Sequence, residues 1–230
     1  MALTADRLLH LDLLAVHLIR NVNGSTIISY HPTMALPTTT ASFFHQRIRF
    51  AGMFWWLFCV IDVKSLLGQS VYWQSIFQKS PDATFVLLTF IWHAVYAWDE
   101  ALEDLYKHIC TLVRDTHICI SLFLLTSMTQ ESRVITTADM PLTKELHVIR
   151  AHHLHYTSLL EDFRKHIFFI RDTHNPALDS LPKSEQDFSD SLLKRECTNL
   201  LGQIERFQQN LTMQERRLKN VMDLVSTITI

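Results

Sequence analysis

The chain has 230 residues, 48% hydrophobic and 19% charged, with a net charge of −2 when histidine is neutral. That apolar content supports a packed core and argues against global disorder. The near-neutral balance, with no run of Lys and Arg, leaves no basic face for nucleic acid.

Residues 4–20 concentrate Leu8, Leu9, Leu11, Leu13, Leu14, Val16 and Leu18, which predicts a helical start. Asp6, Arg7 and Asp12 interrupt the apolar residues and no small-residue cleavage site follows, so no signal peptide is expected here. Thr26–Tyr30 is β-branched and closed by His31-Pro32, which predicts a short strand. Pro37 and Thr38–Thr40 predict a loop, and residues 42–50 fit a strand or a short helix. The most apolar stretch, Ala51–Ile61, is bounded by Arg49 and Asp62. It falls well short of the roughly 18–20 residues of a membrane span. No segment qualifies as a span, and the chain taken alone is expected to be soluble and cytoplasmic.

Ser80-Pro81-Asp82 predicts a helix start, with Ser80 as cap and Pro81 at the first position. Phe85–Cys110 then runs without Gly or Pro. Its first half, including Trp92 and Trp98, is apolar all round, and its second half is amphipathic from Asp99-Glu100 onward. Another helix is predicted from Asp139 and Pro141 to just before Asn175-Pro176. Its seam steps by four and three through Leu142, Leu146, Ile149, His153, Tyr156, Leu160, Phe163, Ile167 and Ile170. Residues 173–190 are polar with two prolines and predict a linker.

From Leu192 a heptad repeat runs through Leu193, Cys197, Leu200, Ile204, Phe207, Leu211, Gln214, Leu218, Val221, Val225 and Ile228. No Gly, Asn or Pro ends it, so it is expected to be a stalk cut short. The expected fold is α+β and mostly α. A small N-terminal α/β unit (1–79) precedes two long antiparallel helices (80–172), the linker (173–190) and a coiled-coil stalk helix (191–230).

No nucleotide-binding glycine pattern occurs, and no GxSxG or HExxH. Four cysteines, Cys59, Cys110, Cys119 and Cys197, share no metal-site spacing and read as reduced thiols of an intracellular protein. Histidine is abundant, with 13 in the chain, and His147, His152, His153 and His155 cluster in one helix. His152 and His155 are one turn apart, a spacing that can share a zinc ion. No carboxylate or cysteine completes the set, and solvated or packed histidines are the competing reading. Glu100 and Asp104 are likewise one turn apart within the acidic group Asp99, Glu100, Glu103 and Asp104. Such oxygens suit a hard cation, and the competing reading is a solvated helix face. Nothing pairs a nucleophile with a base, so no enzyme activity is expected. The alternatives open at this point are a helical oligomerisation scaffold and a zinc enzyme using His152 and His155.

The C-terminal run KRECTNLLGQIERFQQNLTMQERRLKNVMDLV, with its core at Glu215–Val225, resembles the stalk helix of fungal CorA-like magnesium transporter proteins. STIISYHPT, SVYWQSIFQ, FVLLTFIWHAVYAWDEALEDLYKHIC, ESRVI and LTKELHVIRAHHLHYTSLLEDFRKHI are similar to the same family, in the same order. The resemblance implies the cytosolic funnel of a divalent-cation transporter: an α/β unit, two antiparallel helices and a stalk that continues into the first membrane span. It implies a homo-oligomer, a pentamer around a pore, with Mg²⁺ between subunits as a regulatory ion. The likeness stops after Val225. The span and the ion-selecting Gly-Met-Asn motif have no counterpart here, so the chain is expected to lack transport activity alone.

Two segments depart from the family pattern, Met53–Gly68 and Val113–Gln130. Both have the size of a translated intron. Gly52-Met53 can be encoded with GTATG, and Val113 begins with GT. Leu67-Gly68 can place AG at an acceptor, and Gln130 can be CAG. They are expected to be retained introns that loop out if translated, exposing residues such as Leu122–Leu125. Sequenced transcripts should lack both segments; reads carrying both in frame would refute the assignment.

Overall fold

The computed structural model describes residues 2–4, 7–8, 15–22, 24–30, 72–73, 75–127 and 139–228. These residues are mostly helical with small antiparallel strand pairs at the N-terminus, an α+β arrangement that is mostly α. Four short strands, β1 (Ala2–Thr4), β2 (Arg7–Leu8), β3 (Ala15–Asn21) and β4 (Gly24–Tyr30), precede three long helices. The helices are α1 (Thr84–Ser127), α2 (Asp139–Asp172) and α3 (Lys183–Ile228), with a 3₁₀ turn at Pro176–Leu178 before α3.

The described residues of the segment 4–20, where a helical start is predicted, are strand, and 5–6 and 9–14 lie outside the described residues. Thr4 ends β1, Arg7–Leu8 form β2, and Ala15–Arg20 belong to β3. Along β3 the inward residues Val16, Leu18 and Arg20 alternate with exposed neighbours, the two-residue period of a strand. The predicted strand at Thr26–Tyr30 supplies its partner, extended to Gly24, and Leu18 lies opposite Ile27. A cross-strand partner satisfies the backbone of β3, so Val16 and Leu18, counted with the predicted helix, are extended instead. Asn21 pairs with Gly24, whose φ of 155° is one that side-chain-bearing residues rarely adopt.

Three further boundaries differ from the sequence expectation. Asp82, not Ser80, caps α1: its Oδ1 accepts from Thr84 N at 2.8 Å. Ser80 instead closes the preceding helical turn, donating its N–H to the Ile76 carbonyl at 3.1 Å. The linker expected over 173–190 is shorter, because α3 begins at Lys183. There the Pro182 carbonyl accepts from Glu185 N and Gln186 N at 2.9 and 3.1 Å, and Gln186 Nε2 returns to the Leu181 carbonyl at 2.9 Å. Lys, Glu and Gln are good helix formers, so a polar stretch need not be a linker. Finally, residues 113–127 do not loop out but continue α1. They contain neither Gly nor Pro, so nothing local stops the helix. The side chains of 122–125, the segment 53–68, the loop at 37–40 and residues 42–50 lie outside the described residues.

The chain divides into two compact units. One comprises Met1–Leu9, Ala97–His166 and Leu201–Ile230. Its core is three-helical: Leu102, Leu105 and Ile109 of α1, Leu146, Ile149 and Leu160 of α2, and Ile204, Phe207 and Leu218 of α3 are all buried. The other comprises His10–Tyr96 and Ile167–Leu200. It buries Trp73, Phe85, Leu88, Ile167, Leu193 and Leu200, and Trp73 meets Trp92 edge-on at 6.5 Å. The described part of the α3 seam is buried from Leu193 to Val221, and the α2 seam is buried at Leu146, Ile149, His153, Tyr156, Leu160 and Ile167. Phe163 and Ile170 are half-buried.

In the second unit a buried polar tie joins the start of α1 to the turn before α3. Asp82 Oδ1 also accepts from Asn175 Nδ2 at 2.7 Å, while Asn175 Oδ1 caps the 3₁₀ turn through Ala177 N at 3.1 Å. Ser80 and Ser189 hydroxyls bond at 2.7 Å. Asp82→Ala and Asn175→Ala should each lower stability by about 1–3 kcal/mol. The double variant should lose less than the sum of the two, as a urea-unfolding double-mutant cycle would measure.

Candidate functional site

The two candidate pairs lie on different helices, Glu100 and Asp104 on α1 and His152 and His155 on α2. Glu100 and Asp104 share the outer face of α1, exposed and half-buried respectively. Lys107 lies in the same patch, with its Nζ 2.9 Å from Glu103 and 3.7 Å from Asp104. On α2, His152 stacks on Tyr156 with ring centroids 5.8 Å apart, and exposed His155 tilts against the same ring at 6.2 Å. Tyr156 in turn meets Trp98 of α1 edge-on at 5.8 Å. Both imidazoles are therefore placed by an aromatic cluster. Burial holds His152 below the usual imidazole range, which favours the neutral, ligand-competent form. Among the described residues, however, no group of three His, Cys, Asp or Glu side chains could hold a metal.

Two seam residues that sequence reading assigned to packing are polar and buried. His153 of α2 is 2% exposed and neither ring nitrogen has a hydrogen-bond partner. Gln214 of α3, also 2% exposed, donates its Nε2 to the Leu102 carbonyl of α1 at 3.4 Å, while its Oε1 has no partner. Both interrupt an otherwise apolar core. The signal was present in the sequence as a His and a Gln at four-three positions. Burial pushes the His153 pKa below its ordinary value, and Glu215 of α3 opposes that in part. Farther along the same unit, His108 Nε2 lies 3.1 Å from Glu145 Oε1.

The other unit holds a second polar group not foreseen from the sequence. Glu196, wholly buried, accepts a short hydrogen bond from the Tyr72 hydroxyl and lies 3.1 Å from Arg195 Nε. Burial, then Glu196, pushes the Tyr72 pKa up to about 12. Beside it, burial pushes the Cys197 thiol up to about 12. A thiol so raised stays protonated and is a poor nucleophile. Asp82 is held through Oδ1 alone, its Oδ2 being buried without a partner.

These side chains cap helices, join helices and fill polar gaps in a core. No protein-family model matches the chain, and no curated protein or solved structure does either.

The histidines make stability depend on pH. The folded pKa of His153, and that of His152, lies below the unfolded value of about 6.5. The unfolded chain therefore binds more protons as pH falls through about 6.5, and stability drops from there toward the lowered folded values. The loss is at most about 1.4 kcal/mol per pH unit for each group. His153→Leu should flatten the dependence of the urea midpoint on pH between neutral and mildly acid solution.

Proposed function

We propose that this chain is the cytosolic part of a CorA-like divalent-cation transporter, without a pore of its own. The observation that carries the reading is the series of sequence blocks, from STIISYHPT to ERRLKNVMDLV, that resemble the family in its order. The 46-residue helix α3, with its seam buried from Leu193 to Val221, supports the stalk assignment. No described helix is long and apolar enough to cross a membrane. The reading therefore gives these helices an assembly and regulatory part on the cytoplasmic side, not conduction. Glu100 and Asp104, in one patch with Lys107, do not make a magnesium site within one chain, so the reading places no ion on them. Genomic sequence following the codon of Ile230 tests it. The expected continuation encodes an apolar span followed by Gly-Met-Asn; an authentic stop with no such span in the locus would overturn it.

A second reading, a helical oligomerisation scaffold with no role in transport, is favoured by large apolar side chains on the outside of α2, with Val148 41% and Leu154 61% exposed. Sedimentation velocity with and without Mg²⁺ separates the two. Assembly that requires Mg²⁺ supports the transporter part, and a metal-independent dimer supports the scaffold.

A further inference from the structure

The outward faces of α1 and α2, both within the unit built on Ala97–His166 and Leu201–Ile230, differ in charge. On α2, Val148 and Leu154 are exposed beside Lys144, His147, Arg150 and His155, all on the solvent side. Glu145 belongs to the other flank, against His108. Here an apolar strip is edged by the cations Lys144 and Arg150, with two imidazoles beside them. Helical spacing of three and four places Glu100, Glu103, Asp104 and Lys107 together on the outer face of α1, with Ile118 farther along it at 51% exposed. From Glu100 to Lys107 that face carries three carboxylates against one ammonium, and Arg114 and Asp115 farther along, 3.6 Å apart, add one charge of each sign.

We propose that the apolar, cation-edged face of α2 docks on the acid-rich outer face of α1 of a second copy of this chain. Charge complementarity selects the occupant: the same chain displays the matching face, so every copy offers both halves of the contact. Val148 and Leu154 supply apolar area that a charge match alone lacks. Because the two halves are different surfaces, the contact is heterologous and runs head to tail, which closes a ring when the rotation permits. The inference deepens the assembly part of the proposed function, resting on it only for self-association. A locus without a membrane span would end the transporter reading and leave this contact standing.

The test is sedimentation velocity on the full chain over a concentration series, at low and high ionic strength. The expected result is association that weakens at high salt. Lys144→Glu/Arg150→Glu and, separately, Glu100→Lys/Glu103→Lys should each weaken it on the order of tenfold or more. An equimolar mixture of the two variants should regain association, because each reversed face then meets a reversed partner. This rescue excludes misfolding as the cause of the losses, and far-UV circular dichroism of each variant should match the parent. A monomer at every concentration, association indifferent to both reversals, or a mixture that fails to associate would overturn the proposal.

Discussion

Burial of one stripe along α3 is the constraint on which the rest of the molecule depends. Isolated helices gain little from propensity alone, and their persistence rests on packing an apolar face. In α3 that face is Leu193, Cys197, Leu200, Ile204, Phe207, Leu211, Leu218 and Val221, all buried. Each large side chain removed from water contributes about 1.5–3 kcal/mol before entropy is subtracted. The same spacing on α2 brings Leu146, Ile149, Tyr156, Leu160 and Ile167 inward.

The buried polar groups have a different character in each unit. Around Asp82 and Asn175 they satisfy chain ends: a helix N-terminus and a 3₁₀ turn are capped by side chains that also bond to each other. Such a tie fixes how the chain enters α1 relative to the turn before α3, at the cost of leaving Asp82 Oδ2 without a partner. In the three-helix core, His153 and Gln214 leave donors and acceptors unmet. A polar residue at a seam position sacrifices stability, and pairing register is the best-attested return on that sacrifice.

Surface charge is uneven on the outer faces of two helices. Carboxylates gather on the outer face of α1, while lysine, arginine and histidine edge the outer face of α2. Near-neutral net charge conceals this, since the two faces cancel in the sum. Segregation of this kind acts through encounter and orientation of partners more than through the fold itself. The histidine-rich stretch of α2 is divided in the same way: His152 and His155 lie against the Tyr156 ring, and His153 enters the core. Residues adjacent in sequence thus serve separate purposes, because a helix turns each successive side chain by about 100°.

The sequence by itself determined the helices and their buried stripes, since periodicity is a local property of the chain and apolar residues at steps of four and three have one efficient way to leave water. It also located the limits of α2 and the strand at Thr26–Tyr30, where Pro, Asn and β-branched residues act on their own backbone. Only the tertiary structure decided that the leucine-rich start includes a strand, because β3 depends on a partner whose pairing lies outside any local window. It likewise decided that Asp82 displaces Ser80 as the cap, that the polar residues after Pro182 are helical, and that among the described residues no third ligand joins the histidine or the acidic pair in a group that could hold a metal. Those outcomes turn on which groups meet across long separations in the chain. Spacing along one helix places residues on a face, and what that face meets is settled by the packing of the others.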